Sequence, residues 1–226
     1  MIVLGLTGSI GMGKSTAARM FRRLGIPVHD ADAAVHRLLA KGGAAVPLIA
    51  VAFPGTVVAG RVDRPALGAK VFGHPAELRR LEQILHPLVQ AETRRFLRRQ
   101  QARRRKLVVL DIPLLYETAG EKRCDAVVVV TAPRFVQRAR VLARPRMTAE
   151  RFAEIEKQQM PDREKRRRAD FIIETGHGYR HAWLQLRRIL HQLAAPAPLR
   201  RRPRKLQHGQ SRPGQQTGQE KRGQGR

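Results

Sequence analysis

Apolar residues in this chain follow two rhythms. Short, near-continuous aliphatic runs, "MIVLGLTG" at the start, "LVVLDIPLLYE" ending its strand at Asp111, "CDAVVVVTAP" and "ADFIIETG", predict strands buried on both faces. Between them, apolar residues recur every three or four positions, which predicts amphipathic helices. Strands alternating with helices argue for an α/β fold with a parallel sheet.

The helical segments have readable ends. "KSTAARMFRRL" puts Ala17, Ala18, Phe21 and Leu24 on one face, and Gly25 stands where a helix stops. "IPVHDAD" reads as a second short strand, followed by a helix through "AAVHRLLAK" that Gly42-Gly43 ends. Residues 44–76, rich in Gly, Pro and Val, predict short segments and turns. The stretch from Pro75 to Lys106 predicts a long helix with a Leu78, Leu81, Ile84, Leu85 stripe, and Pro87 marks a kink or a break. Residues 134–168 read as charged and helical, and "YRHAWLQLRRILHQL" as a last amphipathic helix. There is no internal repeat.

Composition adds limits. The 226 residues are 42% hydrophobic, enough for a real core. The single cysteine, Cys124, excludes a disulfide framework and a cysteine zinc site, and reads as a small buried residue. The N-terminus lacks a signal-peptide pattern, and no apolar run reaches the roughly 20 residues of a membrane span. The expectation is a soluble cytoplasmic protein that does not engage a membrane. The net charge is +27, of which residues 199–226 hold nine Lys/Arg and one Glu. That Pro-, Gln-, Gly- and Arg-rich tail (197–226) predicts disorder, either as a solvated tail or as an arm for RNA or a membrane surface. Aromatics are only 4% of the chain, too few for base-stacking platforms, so the basic body suits small anionic ligands such as nucleotides better than a specific nucleic acid.

One motif carries definite chemistry. "GSIGMGKS" (8–15) matches GxxxxGK[ST] between a strand and a helix. Gly11, Met12 and Gly13 curl the backbone so that amides face phosphate oxygens. Lys14 reaches the β- and γ-phosphates, Ser15 can ligate Mg²⁺, and Thr16 can reach a further phosphate. The glycine spacing is not that of a dinucleotide-binding fingerprint. Asp30 and Asp32 close the next strand and point to opposite sides, so one can cap the following helix and the other face the γ-phosphate. Asp32 is the candidate for the acceptor hydroxyl's proton. Asp111 ends an apolar strand in a Walker-B-like position and is a candidate Mg²⁺ partner, with Glu117 a second candidate at the same site. Arg134, Arg138, Arg140, Arg144 and Arg146 predict a water-excluding flap over phosphates, with Arg140 and Arg144 on one helix face. His177 and His181 are spaced i, i+4, but a third metal ligand is missing nearby in sequence and Gly178 interrupts the helix, which argues against a metal site.

Taken in order, "GLTGSIGMGKST", "DADAAVHRLL", "DRPALGAKVF", "LEQILHPLV", "DIPLLYE", "VVVVTAP", Gln159 and "EKRRRADFIIETG" make the chain resemble the dephospho-CoA kinase family over residues 1 to about 195. The resemblance implies a P-loop core (1–32, 105–133, 169–195), a substrate-binding insertion (33–100) and a helical lid (134–168). It implies transfer of the ATP γ-phosphate, with Mg²⁺, to the ribose 3′-hydroxyl of dephospho-CoA, by a monomer or weak oligomer. Asp32 then belongs at the acceptor hydroxyl, Arg64 and His86 in the substrate-binding part, and Gly176 near adenine. Two departures stand out: "ARPRMT" replaces the glycine often seen after the lid arginines, so that Pro145 can stiffen the lid, and the tail matches nothing in the family. The rival readings are another small-molecule kinase for nucleosides or nucleotides, and a nucleic-acid-binding P-loop ATPase.

Overall fold

The structure is a computed structural model that describes residues 1–195; the basic tail (197–226) lies outside the described residues. Strand β1 (Ile2–Thr7) enters a glycine loop and then α1 (Lys14–Arg23). Strand β2 (Val28–Asp30) passes straight into α2 (Ala31–Leu39). An insertion follows, made of α3 (Val46–Ala52), the hairpin β3 (Val57–Val58) and β4 (Arg61–Val62), α4 (Arg64–Val71) and α5 (Pro75–Ala102). Strands β5 (Leu107–Asp111) and β6 (Ala126–Thr131) return to the core. Helices α6 (Arg134–Leu142), α7 (Ala149–Gln158) and α8 (Asp162–Arg168) precede β7 (Phe171–Glu174) and α9 (Gly178–Ala194).

The five core strands form one parallel sheet in the order β2-β5-β1-β6-β7. All of their C-terminal ends therefore open on the same side, where open α/β sheets bind ligands. β1 is central, so the glycine loop lies in the middle of that edge. Asp30 and Asp111 are register partners on adjacent strands, which brings two sequence-distant carboxylates to one place.

Both sheet faces are covered, which is why the strands read as unbroken apolar runs. Leu4, Leu6, Val128, Val130 and Ile173 pack on one face with Met20 and Phe21 of α1 and Leu186 of α9. Val3, Val108, Leu110, Val127 and Val129 pack on the other with Phe96 of α5, Leu115 and Cys124. A separate cluster, including Leu38, Ile49, Phe53 and Leu67, gives the insertion its own core.

Several expectations change. α1 buries Met20 beside Ala17, Ala18 and Phe21, whereas Leu24 lies past the last helical residue and is exposed. Gly25 does end that helix, at φ 70°. β2 stops at Asp30, so Asp32 belongs to the first turn of α2 rather than to a strand. The reason is local: the Asp30 carboxylate accepts from the Ala33 amide and caps the helix. α5 runs unbroken through Pro87. An interior proline costs roughly 3 kcal/mol. Leu81, Ile84, Leu85, Leu88 and Val89, on both sides of it, all pack on the insertion core and offset that cost. The segment 134–168 is helical, as expected, and is divided into three helices. α6 ends before Arg144 because a residue preceding proline, here Pro145, is pushed out of the helical region.

Candidate active site

The glycine loop is shaped by backbone conformations that favour glycine. Gly13 has φ 90°, and a Cβ there would lie 2.8 Å from Thr175 Oγ1. Gly13 is also the N-cap of α1 and offers no side-chain acceptor, so the first amides of α1 stay available to an anion. The loop's outer residue, Ile10, is held at both ends of its backbone. Its amide donates to Gln159 Oε1 at 3.0 Å, and its carbonyl accepts from Gln137 Nε2 at 2.9 Å.

A cavity of about 610 Å³ opens over this loop. Gly11, Gly13, Lys14, Ser15 and Thr16 form its floor, and Asp32, Arg140 and Arg144 line it from elsewhere in the chain. Most predicted phosphate-site residues thus converge. Arg144 reaches the cavity from the turn after α6, so the two arginines meet here without sharing a helix face. Arg140 is fixed: its guanidinium donates to Thr175 Oγ1 and to Thr175 O, both at 2.8 Å. The Thr175 hydroxyl in turn donates to Met12 O at 2.7 Å. Thr175 therefore ties the end of β7 to the glycine loop, a role with no local sequence signature.

Lys14 Nζ lies 2.6 Å from Asp111 Oδ1. Burial pushes the Asp111 carboxyl above its usual range, and the Lys14 ammonium opposes this without cancelling it. Ser15, Lys14, Asp111 and Asp32 line a smaller cavity of about 520 Å³ together with Asp30 and His36. A third cavity, about 570 Å³, runs from Asp32 along α5 past Leu78, Leu81, Leu85, His86 and Val89.

Glu117 falls differently from the sequence reading, and three other candidates have particular surroundings. Met12 sets its side chain beneath the loop, its sulfur accepting from the Ala132 amide, and lines a neighbouring cavity of about 700 Å³ with Ser9, Pro133 and Gln137. Gly176 packs against Pro133, whose ring an added Cβ would strike; its neighbours Thr175, Gly178 and Tyr179 line the cavity instead. Arg64 stands beside His36, 3.2 Å away, and reaches the smaller cavity only through that ring. Glu117 is not with Asp111: it accepts from the Met160 amide at 2.8 Å and pairs with the buried Lys165 at 2.9 Å. Its neighbour in sequence points to the phosphate edge, but the chain turns after β5 and carries Glu117 under α8.

The histidine pair also differs. Gly178 begins α9 rather than breaking a helix, and Glu174 supplies a third ligand-type group, with all three ligating atoms within 4.8 Å of one another. His181 Nε2 already accepts from Gln185 and Glu174 faces Arg166 at 4.0 Å, so these groups have other partners.

Among the described residues, no helix is long and apolar enough to cross a membrane. A family model described as Dephospho-CoA kinase matches residues 2–179. A protein named dephospho-CoA kinase from Mesorhizobium japonicum is 59% identical over 193 residues, 85% of this chain and 97% of that one. Another of that name, from Paramagnetospirillum magneticum, is 64% identical over 166 residues, 74% of this chain and 78% of its own length. A crystal structure of TT1252 from Thermus thermophilus superposes with a TM-score of 0.73 at 38% identity, covering 86% of this chain and 98% of that one. The Campylobacter jejuni dephospho-CoA kinase shares the fold, with a TM-score of 0.59 at 22% identity, over 84% and 96%. With a phosphate loop opening on two further cavities, and with matches running over nearly all of the described residues, the chain belongs to the dephospho-CoA kinase family.

Proposed function

We propose that this site moves the γ-phosphoryl group of ATP to the ribose 3′-hydroxyl of dephospho-CoA, giving coenzyme A and ADP. The observation that carries the reading is the position of Asp32, which lines both the cavity over the phosphate loop and the groove along α5. A group bound in one and a group bound in the other meet at that carboxylate. The groove walls are largely aliphatic, which suits the long, uncharged pantetheine arm of the acceptor.

The chemistry follows from the residues. The acceptor oxygen forms a bond to the γ-phosphorus as the bond from that phosphorus to the β–γ bridging oxygen breaks, and the hydroxyl proton passes to the Asp32 carboxylate. Asp32 is exposed in the first turn of α2, with its carboxylate open to the junction of the two cavities. Lys14 leaves Asp111 for the phosphates, where its charge and the loop amides stabilise the developing negative charge. The Ser15 hydroxyl and the Asp111 carboxylate form an all-oxygen donor set beside Lys14, which fits Mg²⁺, and that ion would neutralise charge on the β- and γ-phosphates when bound. Arg140 and Arg144 close the phosphate side, while His86 in the groove and Arg64 through His36 contact the acceptor.

An ADP-release assay across acceptors tests the reading. Turnover is expected with dephospho-CoA and not with nucleosides or AMP; the reverse pattern would make this a nucleotide kinase. ADP release stimulated by RNA or DNA without a small acceptor would make it a nucleic-acid-dependent ATPase. Asp32→Asn should retain ATP binding and lower kcat by about 10²-fold or more. Near-normal turnover in that variant removes Asp32 from the reaction.

A further inference from the structure

The cavity over the phosphate loop and the groove along α5 share four lining residues: Asp32, Pro113, Ile155 and Gln159. Two of these are apolar and can only shape the junction. The polar pair is Asp32, already assigned to the acceptor hydroxyl, and Gln159. We propose that Gln159 touches the transferring group: its side-chain amide donates to a phosphoryl oxygen at the point where donor and acceptor meet. This rests on the reading of the site given above and adds a residue to it.

The orientation of the amide is fixed by its partner. Ile10 offers an N–H, so the oxygen of the Gln159 carboxamide must face the loop, at 3.0 Å. The NH₂ end is left, and it can only donate. Among the described residues no protein acceptor engages it. The backbone is fixed as well. Gln159 is the C-cap of α7, its amide donating to Glu156 O at 3.1 Å, and the next residue's amide is held by Glu117. A half-buried carboxamide pinned at its oxygen and at its backbone on both sides directs two donors into the junction at little further entropic cost.

The residue type matters. Asp32 already brings a negative charge to this junction, and an incoming phosphate brings more. A second carboxylate would repel it, and a further lysine or arginine would pair with Asp32. A neutral donor does neither. It strengthens as charge builds on the phosphoryl oxygens, which is the differential binding that lowers a barrier. Gln137, the other glutamine on Ile10, does not fit this role: it is buried, its NH₂ is used by the Ile10 carbonyl, and it does not line the groove.

Two roles are thus separable, anchoring the loop through Oε1 and donating through Nε2. Gln159→Met keeps the volume and loses both. Gln159→Glu keeps the oxygen that holds Ile10 and loses the donor. Steady-state kinetics with ATP and dephospho-CoA, with ATP binding followed by its shift of the unfolding temperature, tells them apart. Donation to the transferring group predicts kcat lowered on the order of 10²-fold in Gln159→Met, with KM for ATP within about threefold of wild type and the ATP-induced shift retained. Gln159→Glu should do no better. The proposal is overturned if Gln159→Met turns over within about threefold of wild type, if its loss lies in KM for ATP, or if Gln159→Glu recovers wild-type kcat, since any of these leaves Gln159 as a loop anchor or less. A wild type without dephospho-CoA turnover would instead defeat the functional reading, and the two failures cannot be confused.

Discussion

Lys14 meets Asp111 at 2.6 Å under the phosphate loop, and Lys165 meets Glu117 at 2.9 Å where α8 packs on the core. Both pairs join a lysine to a carboxylate away from bulk water, yet the carboxylates shift in opposite directions. For Asp111, burial is the largest influence and its pKa rises, with Lys14 the chief group opposing it. For Glu117, burial also pushes upward, but the Lys165 ammonium and the Met160 amide outweigh it and the pKa falls. Glu117 is thus held by the fold through Oε1, and it keeps the chain after α7 in place. Asp111 keeps a raised pKa although Lys14 stands against it as its main partner. A carboxylate left in that state inside a ligand cavity is poised for something the protein does not itself supply, and a cation is the natural candidate.

The largest effect should come from breaking the first pair. Lys14→Met is expected to lower kcat by about 10³-fold, with a loss of stability smaller than that of the second pair because the Asp111 carboxyl, its pKa already raised, can take up a proton in place of the lost counter-ion. A large drop in stability with modest loss of turnover would reverse the assignment of the two pairs. Breaking the second pair should do the opposite. Lys165 is fully buried, and Lys165→Met strands Glu117 without its counter-ion, at a cost of about 3–5 kcal/mol in urea unfolding. Adding Glu117→Leu should restore most of that, because replacing both members of a buried pair with apolar groups is close to neutral. If the double variant is as unstable as the single, the pair contributes through something other than charge.

These two pairs also mark what was legible in the sequence. Lys14 lies in a contiguous motif whose spacing encodes the loop geometry, and Asp111 ends an apolar run, so both could be read locally. Glu117 follows Asp111 closely in "DIPLLYE" and was grouped with it, but the turn after β5 sends it to a different partner. Lys165 stands among other charges in "EKRRRADFIIETG" with nothing to set it apart, since burial of a single lysine is decided by tertiary packing that composition does not carry. The sheet and its helices were legible because unbroken apolar runs have few alternatives. The path of α5 through Pro87 was not, because the packing that holds it comes from the insertion core. Asp32 was found in the wrong element yet at the right edge, since Asp30 took the capping role that the alternation had left open. Gln159 had a signal, its place in the ordered motif set, but no chemistry until the fold brought it against Ile10.

The smallest effect is in the shape of stability against pH, where the two carboxylates should contribute with opposite sign. Glu117 has a folded pKa below 4.5, so its contribution is complete above 4.5 and is lost as pH falls through the folded value. Asp111 has a folded pKa above 3.8, so its contribution is complete below 3.8 and is lost as pH rises through the folded value. Glu117→Gln should therefore flatten the acid limb of the curve, whatever it does to the overall height. Asp111→Asn should gain relative to wild type as pH rises from 3.8 toward neutrality, an effect of about 2–4 °C in Tm. That gain is what a site held ready for a cation would show, because the amide gives up the charge whose burial is unfavourable. Unfolding curves of both variants and wild type across the acid range check this. Parallel slopes for the two variants would mean that the carboxylates are equally satisfied by the protein and that Asp111 is a structural partner of Lys14, not a group kept for a ligand.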